Sequence, residues 1–346
     1  MHCHTATPRY RQYGLTLTEL LVATTMGIVL IGGVLQIYTS SSQTYRVQEN
    51  FGHIQEGGRF AQEVLSRDLR MTGYRGCAGP DIPINNLLNN ASNFQWNFDV
   101  PIEGHTHDGS SWQPALPSEL SGLDPAPDPQ SDILVLRTAT DRNAVLARQP
   151  GMQSNEPGSG LKVAPGHNLQ ESDIVMATDC AHAAIFQITG LTDNDTTVGH
   201  GTGTTAVPGN AINLGHDFEG GEIIGIATHV YYVATNPAGE LGLYRKVGSA
   251  NAQELVSGVE RMRVQYGEDT SQNWLADEYR LADDVNNWAR VVSARLHLLL
   301  RGPDNNLIPA ADHPMTYPFA DGTFTAPDRR LRQVFSTTVG VRNQLP

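Results

Sequence analysis

Basic residues are scarce in this sequence and do not cluster. Its 346 residues include 23 lysines and arginines against 36 aspartates and glutamates, which gives a formal net charge of −13 at pH 7. A nucleic-acid surface needs clustered Lys and Arg to neutralise phosphates. The composition therefore argues against nucleic acid as a partner, while the acidic balance keeps a domain soluble.

Cysteine is also scarce, since the chain has only Cys3, Cys77 and Cys180. An odd number leaves one thiol unpaired in an exported protein. If a short amino-terminal segment is removed, Cys3 leaves with it and a pair remains. We then expect a Cys77–Cys180 disulfide that closes a long loop outside the cytoplasm. Two buried, unpaired thiols are the alternative.

Motifs that carry catalysis or bind cofactors are missing from the sequence. It contains no phosphate-cradling loop, dinucleotide fingerprint or metalloprotease helix. Ser159–Lys162 has S-x-x-K spacing, but Gly158 and Gly160 flank the serine, which does not favour the helix that this motif needs.

Three polar stretches are better interpreted as loops than as ligand sites. His105–Gly109 (HTHDG) offers two imidazoles without a second cluster at ligand spacing, and is predicted to be a polar loop. Thr192–Thr197 and Gly267–Asp284 are acidic but do not fit a calcium-binding loop, and are predicted to be solvated. The sequence therefore predicts no catalytic residues, no cofactor and no metal site.

One long uncharged run lies near the amino terminus, from Leu20 to Tyr45. It is long enough to cross a hydrocarbon core of about 30 Å as a helix. Arg9 and Arg11 precede it, and such a positive flank stays in the cytoplasm. No small-residue cleavage site follows the run, so it is not a conventional secretory signal. We expect a single-pass helix whose amino terminus is cytoplasmic.

Glu19 stands at the edge of this uncharged run. An ionised side chain is tolerated there more easily if a cation meets it. Cleavage between Gly14 and Leu15 would create an amine that could pair with Glu19 of the same chain or of a neighbour. The alternative is a carboxylate stabilised by the helix dipole, with Thr16 or Thr18 as a cap. Both effects can act together.

The helical pattern continues past the end of the uncharged run. Apolar residues recur at three- and four-residue steps: Val47, Phe51, Ile54, Ala61, Leu65 and Leu69, widened by Phe60 and Val64. Interleaved charged residues are predicted to face water: Arg46, Glu49, Arg59, Glu63, Arg67 and Asp68. Gly57-Gly58 predicts a bend or a close backbone approach, and Gly73 a stop. The pattern therefore predicts one helix from about Leu15 to Met71.

Apolar, β-branched runs with turn-rich separators fill the remainder of the chain. The runs are 133–136, 174–176, 185–188, 223–233, 259–266, 291–300 and 334–341. Residues 81–130, rich in Asn, Pro, Asp and Ser, are predicted to be extended loop, and 199–209 a flexible loop. The pattern predicts an α+β chain with an antiparallel sheet and long loops.

The segment GLTLTELLVA, which begins at Gly14, resembles the class III leader of type IV pilins and type II secretion pseudopilins. The resemblance implies cleavage between Gly14 and Leu15 by a prepilin peptidase. It also implies N-methylation of Leu15 and a role for Glu19 in assembly. Leu15 stands where Phe is usual, although other apolar residues are accepted at that position.

The stretch Ser40–Cys77 narrows the resemblance to PilW-type minor pilins of the type IV pilus. It contains QTYRVQE, GRFA and RDLRMTGYRGC, and DILVLR, DIVMATDC, VERMRVQYG and RRLRQVFSTTVGVRN follow later. The resemblance implies a ladle-shaped α+β pilin. It would have a leader (1–14), a transmembrane or fibre-core half-helix (15–39), an amphipathic half-helix (40–72) and a periplasmic β-rich domain (73–346).

The implied function is that of a non-enzymatic minor pilin that initiates assembly in a tip-associated priming complex. It would reside in the inner membrane and later in the fibre at the cell surface. Its partners would be the prepilin peptidase, other minor pilins, the major pilin and a tip adhesin. Alternatives are a J-type minor pseudopilin of type II secretion, a membrane-anchored periplasmic adhesin and a membrane-anchored hydrolase.

Overall fold

The computed structural model describes residues 14–79, 81–146, 160–203, 207–216 and 218–345. Cys3, Arg9, Arg11 and Ser159, which the sequence analysis singled out, lie outside these ranges. Within them, a long helix is followed by mostly antiparallel strands, so the chain is α+β as predicted. The elements are α1 (Leu17–Met71), β1 (Ile84–Asn86), β2 (Ile102–His107), β3 (Trp112–Gln113), α2 (Ser118–Ser121), β4 (Ile133–Val145), β5 (Leu161–Lys162), β6 (Ile174–Thr178), β7 (Ala183–Gln187), β8 (Gly190–Thr192), β9 (Thr197–Gly199), β10 (Glu222–Thr235), β11 (Leu241–Val247), β12 (Gln253–Ser257), β13 (Val259–Glu268), β14 (Glu278–Arg280), β15 (Val291–Arg301), β16 (Thr316–Phe319), β17 (Gly322–Thr325), β18 (Arg332–Gly340), and 3-10 turns at Trp288–Arg290, Ala310–Asp312 and Arg342–Gln344.

The long helix α1 confirms the predicted single helix and its end. After Met71, Thr72 turns to extended backbone. Gly73 follows with a φ of +68°, a left-handed conformation that glycine adopts without steric cost. The buried residues of α1 recur at three- and four-residue steps: Asn50, Ile54, Gly58, Ala61, Leu65, Asp68 and Leu69.

Two sheets hold the strands that surround α1. In the described residues, the larger sheet has the order β1-β7-β6-β10-β4-β2-β3, and β11 and β12 attach to it through β10. The smaller has the order β14-β13-β15-β18. The strand pairs of both sheets are antiparallel except β1 with β7. Two short sheets, β5-β9-β8 and β16-β17, lie outside them.

The core under α1 draws on the helix and on both sheets. Leu65 and Leu69 of the helix are fully buried. The strand residues of the same cluster include Leu134, Leu136, Tyr231, Val233, Met262, Val264, Leu296 and Leu298. Each such side chain contributes about 1.5–3 kcal/mol when buried, so this shared core fixes the helix to the domain.

The seven predicted apolar runs all lie in strands or extend them by a residue. The extended loop predicted at 81–130 was wrong in part. That segment contains β1, β2, β3 and the short α2. β2 pairs with β4 in the register Ile102 to Leu136 and is largely buried. The sequence did not predict β2 because the strand has few apolar residues. It is buried because neighbouring elements pack around it.

Two further loop predictions were wrong in part. In the predicted polar loop His105–Gly109, His105 belongs to β2 and is buried, and burial lowers its pKa. In the predicted solvated stretch Gly267–Asp284, Glu268 and Asp269 are buried and accept backbone N–H groups. Their carboxylates are therefore used to hold the chain in place.

Candidate functional site

The amino-terminal end of α1 is a capping box built by Thr16 and Glu19. The backbone N–H of Thr16 donates to Glu19 Oε2 at 2.9 Å, and the N–H of Glu19 donates to Thr16 Oγ1 at 3.3 Å. This reciprocal pair satisfies two of the free N–H groups at a helix start. Of the two roles predicted for Glu19, the cap is therefore present. Gly14 and Leu15 precede it and are exposed.

The first half of α1 touches almost nothing in the described part of the chain. Between Leu17 and Glu49 no residue is buried, and large apolar side chains such as Ile28 (69 % exposed) and Leu35 (57 % exposed) are open on all sides. The helix is long and apolar enough to cross a membrane. It is a candidate membrane anchor.

Threonine hydroxyls in this half bond to the helix itself. Thr24 Oγ1 donates to the carbonyl of Leu20 at 2.9 Å, and Thr25 Oγ1 donates to that of Leu21 at 2.7 Å. Such internal bonds are what an apolar solvent requires, because no water is present to bond a free hydroxyl.

Contact with the domain begins at Arg46 and Asn50. The Arg46 guanidinium meets Asp304 at 3.1 Å, and Asn50 Oδ1 accepts the Asp304 N–H at 3.0 Å. The loop that carries Asp304 follows β15. Packing of α1 on the domain therefore starts at about Arg46, inside the segment predicted to be the amphipathic half (40–72).

The glycine pair Gly57-Gly58 is a close backbone approach and not an interruption of the helix. A Cβ added to Gly58 would lie 2.3 Å from Cζ of Phe335 on β18, and one added to Gly57 would lie 3.1 Å from Val256 Cγ1 on β12. Glycine thus lets the two sheets close on the helix. Of the two alternatives predicted for this pair, the close approach is the one observed.

Asp68 forms the polar centre of the junction between α1 and the larger sheet. Its Oδ2 lies 2.6 Å from Nδ1 of His229 and accepts the hydroxyl of Tyr231, both on β10. Burial raises the pKa of this carboxyl, but the hydrogen bonds from His229 and Tyr231 outweigh burial, so the pKa lies below its ordinary value. The network holds Asp68 as an anion inside the fold.

The prediction that Asp68 faces water was therefore wrong, whereas the other five charged residues of that set are exposed. A signal was present in the sequence. Asp68 lies three residues after Leu65 and beside Leu69, so it falls within the apolar stripe of the helix. Phe51 and Phe60, predicted to belong to the stripe, are 42 % and 47 % exposed.

The carboxyl end of α1 is tied to the domain twice. Asn343 Nδ2, from the last segment of the chain, donates to the carbonyls of Arg70 and Thr72 at 3.1 and 3.0 Å, which satisfies acceptors that a helix end leaves free. Beyond it, Cys77 and Cys180 form the expected disulfide, with a Cα–Cα distance of 4.8 Å. A bridge across a loop of this length stabilises by about 4–5 kcal/mol in the chain-entropy account.

The predicted site residues thus fall into two groups at opposite ends of α1. Gly14, Leu15 and Glu19 surround its start, and Cys77 and Cys180 lie just past its end. A helix of 55 residues spans about 80 Å. The arrangement joins an exposed apolar helix to a domain of packed strands.

Comparisons with known proteins point to one family. No curated protein and no solved structure matches the chain. The model of the family described as Type IV Pilus-assembly protein W, or PilW, matches residues 230–343. That region contains Tyr231, Asp304, Phe335 and Asn343, which contact α1. The match supports a PilW-like protein of the type IV pilus.

Proposed function

We propose that this chain is a minor pilin that takes part in starting and assembling the type IV pilus, without enzymatic activity. The observation that carries the proposal is a fully exposed apolar half-helix attached to a domain with the PilW match. An exposed apolar surface of this size has to be covered by lipid or by another protein, and a pilin uses both kinds of cover in turn.

The exposed half of α1 has two successive tasks in this proposal. In the inner membrane it anchors the chain, with the amino terminus in the cytoplasm and the domain in the periplasm. After extraction, the same apolar surface packs against other pilins in the fibre core. The ladle shape, with the helix as its handle, lets the domain form lateral contacts with neighbouring minor pilins in a tip-associated complex and hold a tip adhesin.

Glu19 sets the register between neighbouring pilin helices in this mechanism. Its carboxylate already lies against the N–H of Thr16. Cleavage between Gly14 and Leu15 by prepilin peptidase would place a new amine, methylated in the mature protein, one residue away. Glu19 then meets an ammonium of its own or of a neighbouring chain, which lowers the cost of placing a carboxylate at an apolar boundary.

The first experiment separates charge pairing from helix capping. Glu19→Ala removes both, whereas Thr16→Val removes the capping hydroxyl and keeps the carboxylate. We expect both variants to be cleaved normally, and Glu19→Ala alone to lose most surface pili in a complemented deletion strain, counted by electron microscopy. Normal piliation in Glu19→Ala, or an equal defect in Thr16→Val, would contradict the pairing role.

The second experiment tests processing. Gly14→Ala should leave the leader attached, so that an immunoblot of membranes shows the longer precursor only. Mass spectrometry of the wild-type protein should find a methylated Leu15 as the first residue. A mature-sized product in Gly14→Ala would overturn the proposed cleavage site.

The third experiment separates the pilus from type II secretion. A deletion strain should lose twitching motility and surface pili and should secrete its exoproteins normally. Loss of secretion with normal motility would instead favour a minor pseudopilin.

A further inference from the structure

Three metal-ligand side chains converge beside the disulfide, although their spacing in the sequence does not suggest a site. Asp179 and His182 lie in the turn between β6 and β7, and His216 precedes the buried Phe218. Asp179 Oδ2 lies 2.7 Å from His216 Nε2 and 3.3 Å from His182 Nδ1. One ligand atom from each of the three can be chosen so that all lie within 4.8 Å of one another.

The turn that carries two of these residues is held firmly. Asp179 Oδ1 accepts the N–H groups of Ala181 and His182 at 3.0 and 2.7 Å. Cys180, in the left-handed conformation (φ +70°), is bonded to Cys77. The register of β6 with β7 ends at Thr178 and Ala183, so the turn cannot slide. The ligands are therefore positioned by the fold and not by flexible chains.

The third residue is positioned from a different part of the chain. The ring of His216 lies edge-on to Phe218, with centroids 5.1 Å apart. On its other side it lies over the ring of His182, with centroids 3.9 Å apart and planes tilted by 38°. Two imidazoles and one carboxylate thus meet where residues 207–216 cross the β6–β7 turn.

The chemistry of this set favours a borderline-soft divalent ion. Neutral imidazole and carboxylate are ligands for Zn²⁺ at about 2.0–2.2 Å, and tetrahedral geometry then separates the ligand atoms by about 3.3–3.6 Å. The 3.3 Å separation between Asp179 and His182 already fits, and the 2.7 Å separation to His216 has to open by less than about 1 Å. The ligand nitrogens of His182 and His216 lie within 4.8 Å of each other and have to approach by at most about 1.5 Å.

We propose that Asp179, His182 and His216 form a site for one divalent transition-metal ion of the zinc class. Three protein ligands leave a fourth position of a four-coordinate ion open. The side chain of His182 is 54 % exposed, so the site is in contact with solvent. The ion would clamp residues 207–216 onto the disulfide-bonded turn. It would also offer the open position to water or to a ligand atom from a partner. This inference does not depend on the proposed role in the pilus.

The test measures Zn²⁺ binding to the full chain in detergent. Because His2, Cys3 and His4 offer a second set of ligand atoms, all variants carry His2→Ala, Cys3→Ser and His4→Ala, and the purification tag contains no histidine. Asp179→Asn keeps an oxygen for the N–H groups of the turn while removing the charge. His182→Ala and His216→Ala remove one imidazole each. His53→Ala, an exposed histidine of α1, is the matched control.

We expect one Zn²⁺ per chain by titration calorimetry, with affinity lowered about tenfold or more in each ligand variant and unchanged in His53→Ala. Zn²⁺ should raise the melting temperature of the parent and not of His182→Ala, and Co²⁺ should give the visible bands of a four-coordinate ion. Absence of stoichiometric binding, or binding that His182→Ala and His216→Ala leave intact, would overturn the site and reduce the trio to a hydrogen-bonded cluster.

Discussion

The two halves of α1 belong to one continuous helix but are stabilised in opposite ways. From Leu20 to Tyr38 the helix is uncharged and carries apolar side chains on every face, and it is exposed, with Leu35 57 % open. The polar, uncharged residues 39–44 follow. From Asn50 onward it is amphipathic, and Leu65 is fully buried against the domain. A helix that is apolar all round needs lipid or another protein around it, whereas an amphipathic helix completes itself on its own fold.

The two halves of α1 also differ in the hydrogen-bond partners of their polar side chains. Thr24 and Thr25 in the first half bond to carbonyls of their own helix. Asn50 and Asp68 bond to the loop after β15 and to β10, so the second half uses polar groups to join other elements. The hydroxyls of Thr24 and Thr25 therefore do not join the helix to the domain, whereas the side chains of Asn50 and Asp68 do.

The largest expected effect comes from truncating one leucine in each half. Leu65→Ala removes a fully buried side chain and leaves a cavity, so it should lower the free energy of unfolding of the domain by about 2–5 kcal/mol. Leu35→Ala should change it by less than about 0.5 kcal/mol, because its side chain contributes nothing to the domain. Thermal unfolding of the full chain in detergent, followed by near-ultraviolet circular dichroism, measures both. Equal effects in the two variants would show that the first half also packs on the domain.

A smaller loss is expected from Asp68→Asn. The substitution removes the charge that accepts hydrogen bonds from His229 and Tyr231, which should cost about 1.5–3 kcal/mol. The matched control is Glu63→Gln, an exposed carboxylate in the same half of the helix. Chemical denaturation at pH 7 compares the two variants, and a loss as large in Glu63→Gln would contradict the junction role of Asp68.

The same network predicts a pH dependence. The pKa of Asp68 is lower in the folded protein than its ordinary value of 3.8. Its contribution to stability is therefore fully present well above pH 3.8, and it is lost as the pH falls through the lower pKa of the folded state. The stability of Asp68→Asn should thus fall less steeply than that of the wild type below about pH 4.

The sequence predicts the elements of this fold better than its contacts. The extent of α1 and the apolar strands follow from periodicity and from β-branched runs, which are local. Asp68 and β2 were misassigned because their burial depends on partners on β10 and β4, far away in the sequence. The trio of Asp179, His182 and His216 is hidden for the same reason, since only folding brings residue 216 to the β6–β7 turn.

Replacing two glycines of the packed half by alanine should change the stability in opposite directions. Gly58→Ala places a Cβ 2.3 Å from Phe335, so the ring has to move. This overpacking costs about 1–3 kcal/mol, and the higher helix propensity of alanine offsets about 1 kcal/mol of that cost. Gly52→Ala meets nothing within 4 Å and should stabilise the helix by about 0.5–1 kcal/mol. Denaturant midpoints of both variants measure the difference. Stabilisation by Gly58→Ala would mean that β18 does not close on the helix there.

The smallest effect tests where the two halves meet. Arg46 and Asp304 are both about half exposed, so solvent screens their attraction and Arg46→Ala should not measurably change global stability. Amide exchange should rise locally instead, in the loop around Asp304, because that loop loses one of its two links to α1 while Asn50 keeps the other. Arg59→Ala, an exposed arginine in the packed half, should leave this exchange unchanged. If the packed half begins at Arg46, exchange before Tyr45 should not respond to Arg46→Ala. A response that extends to residues 40–45 would place the start of the packed half earlier than Arg46.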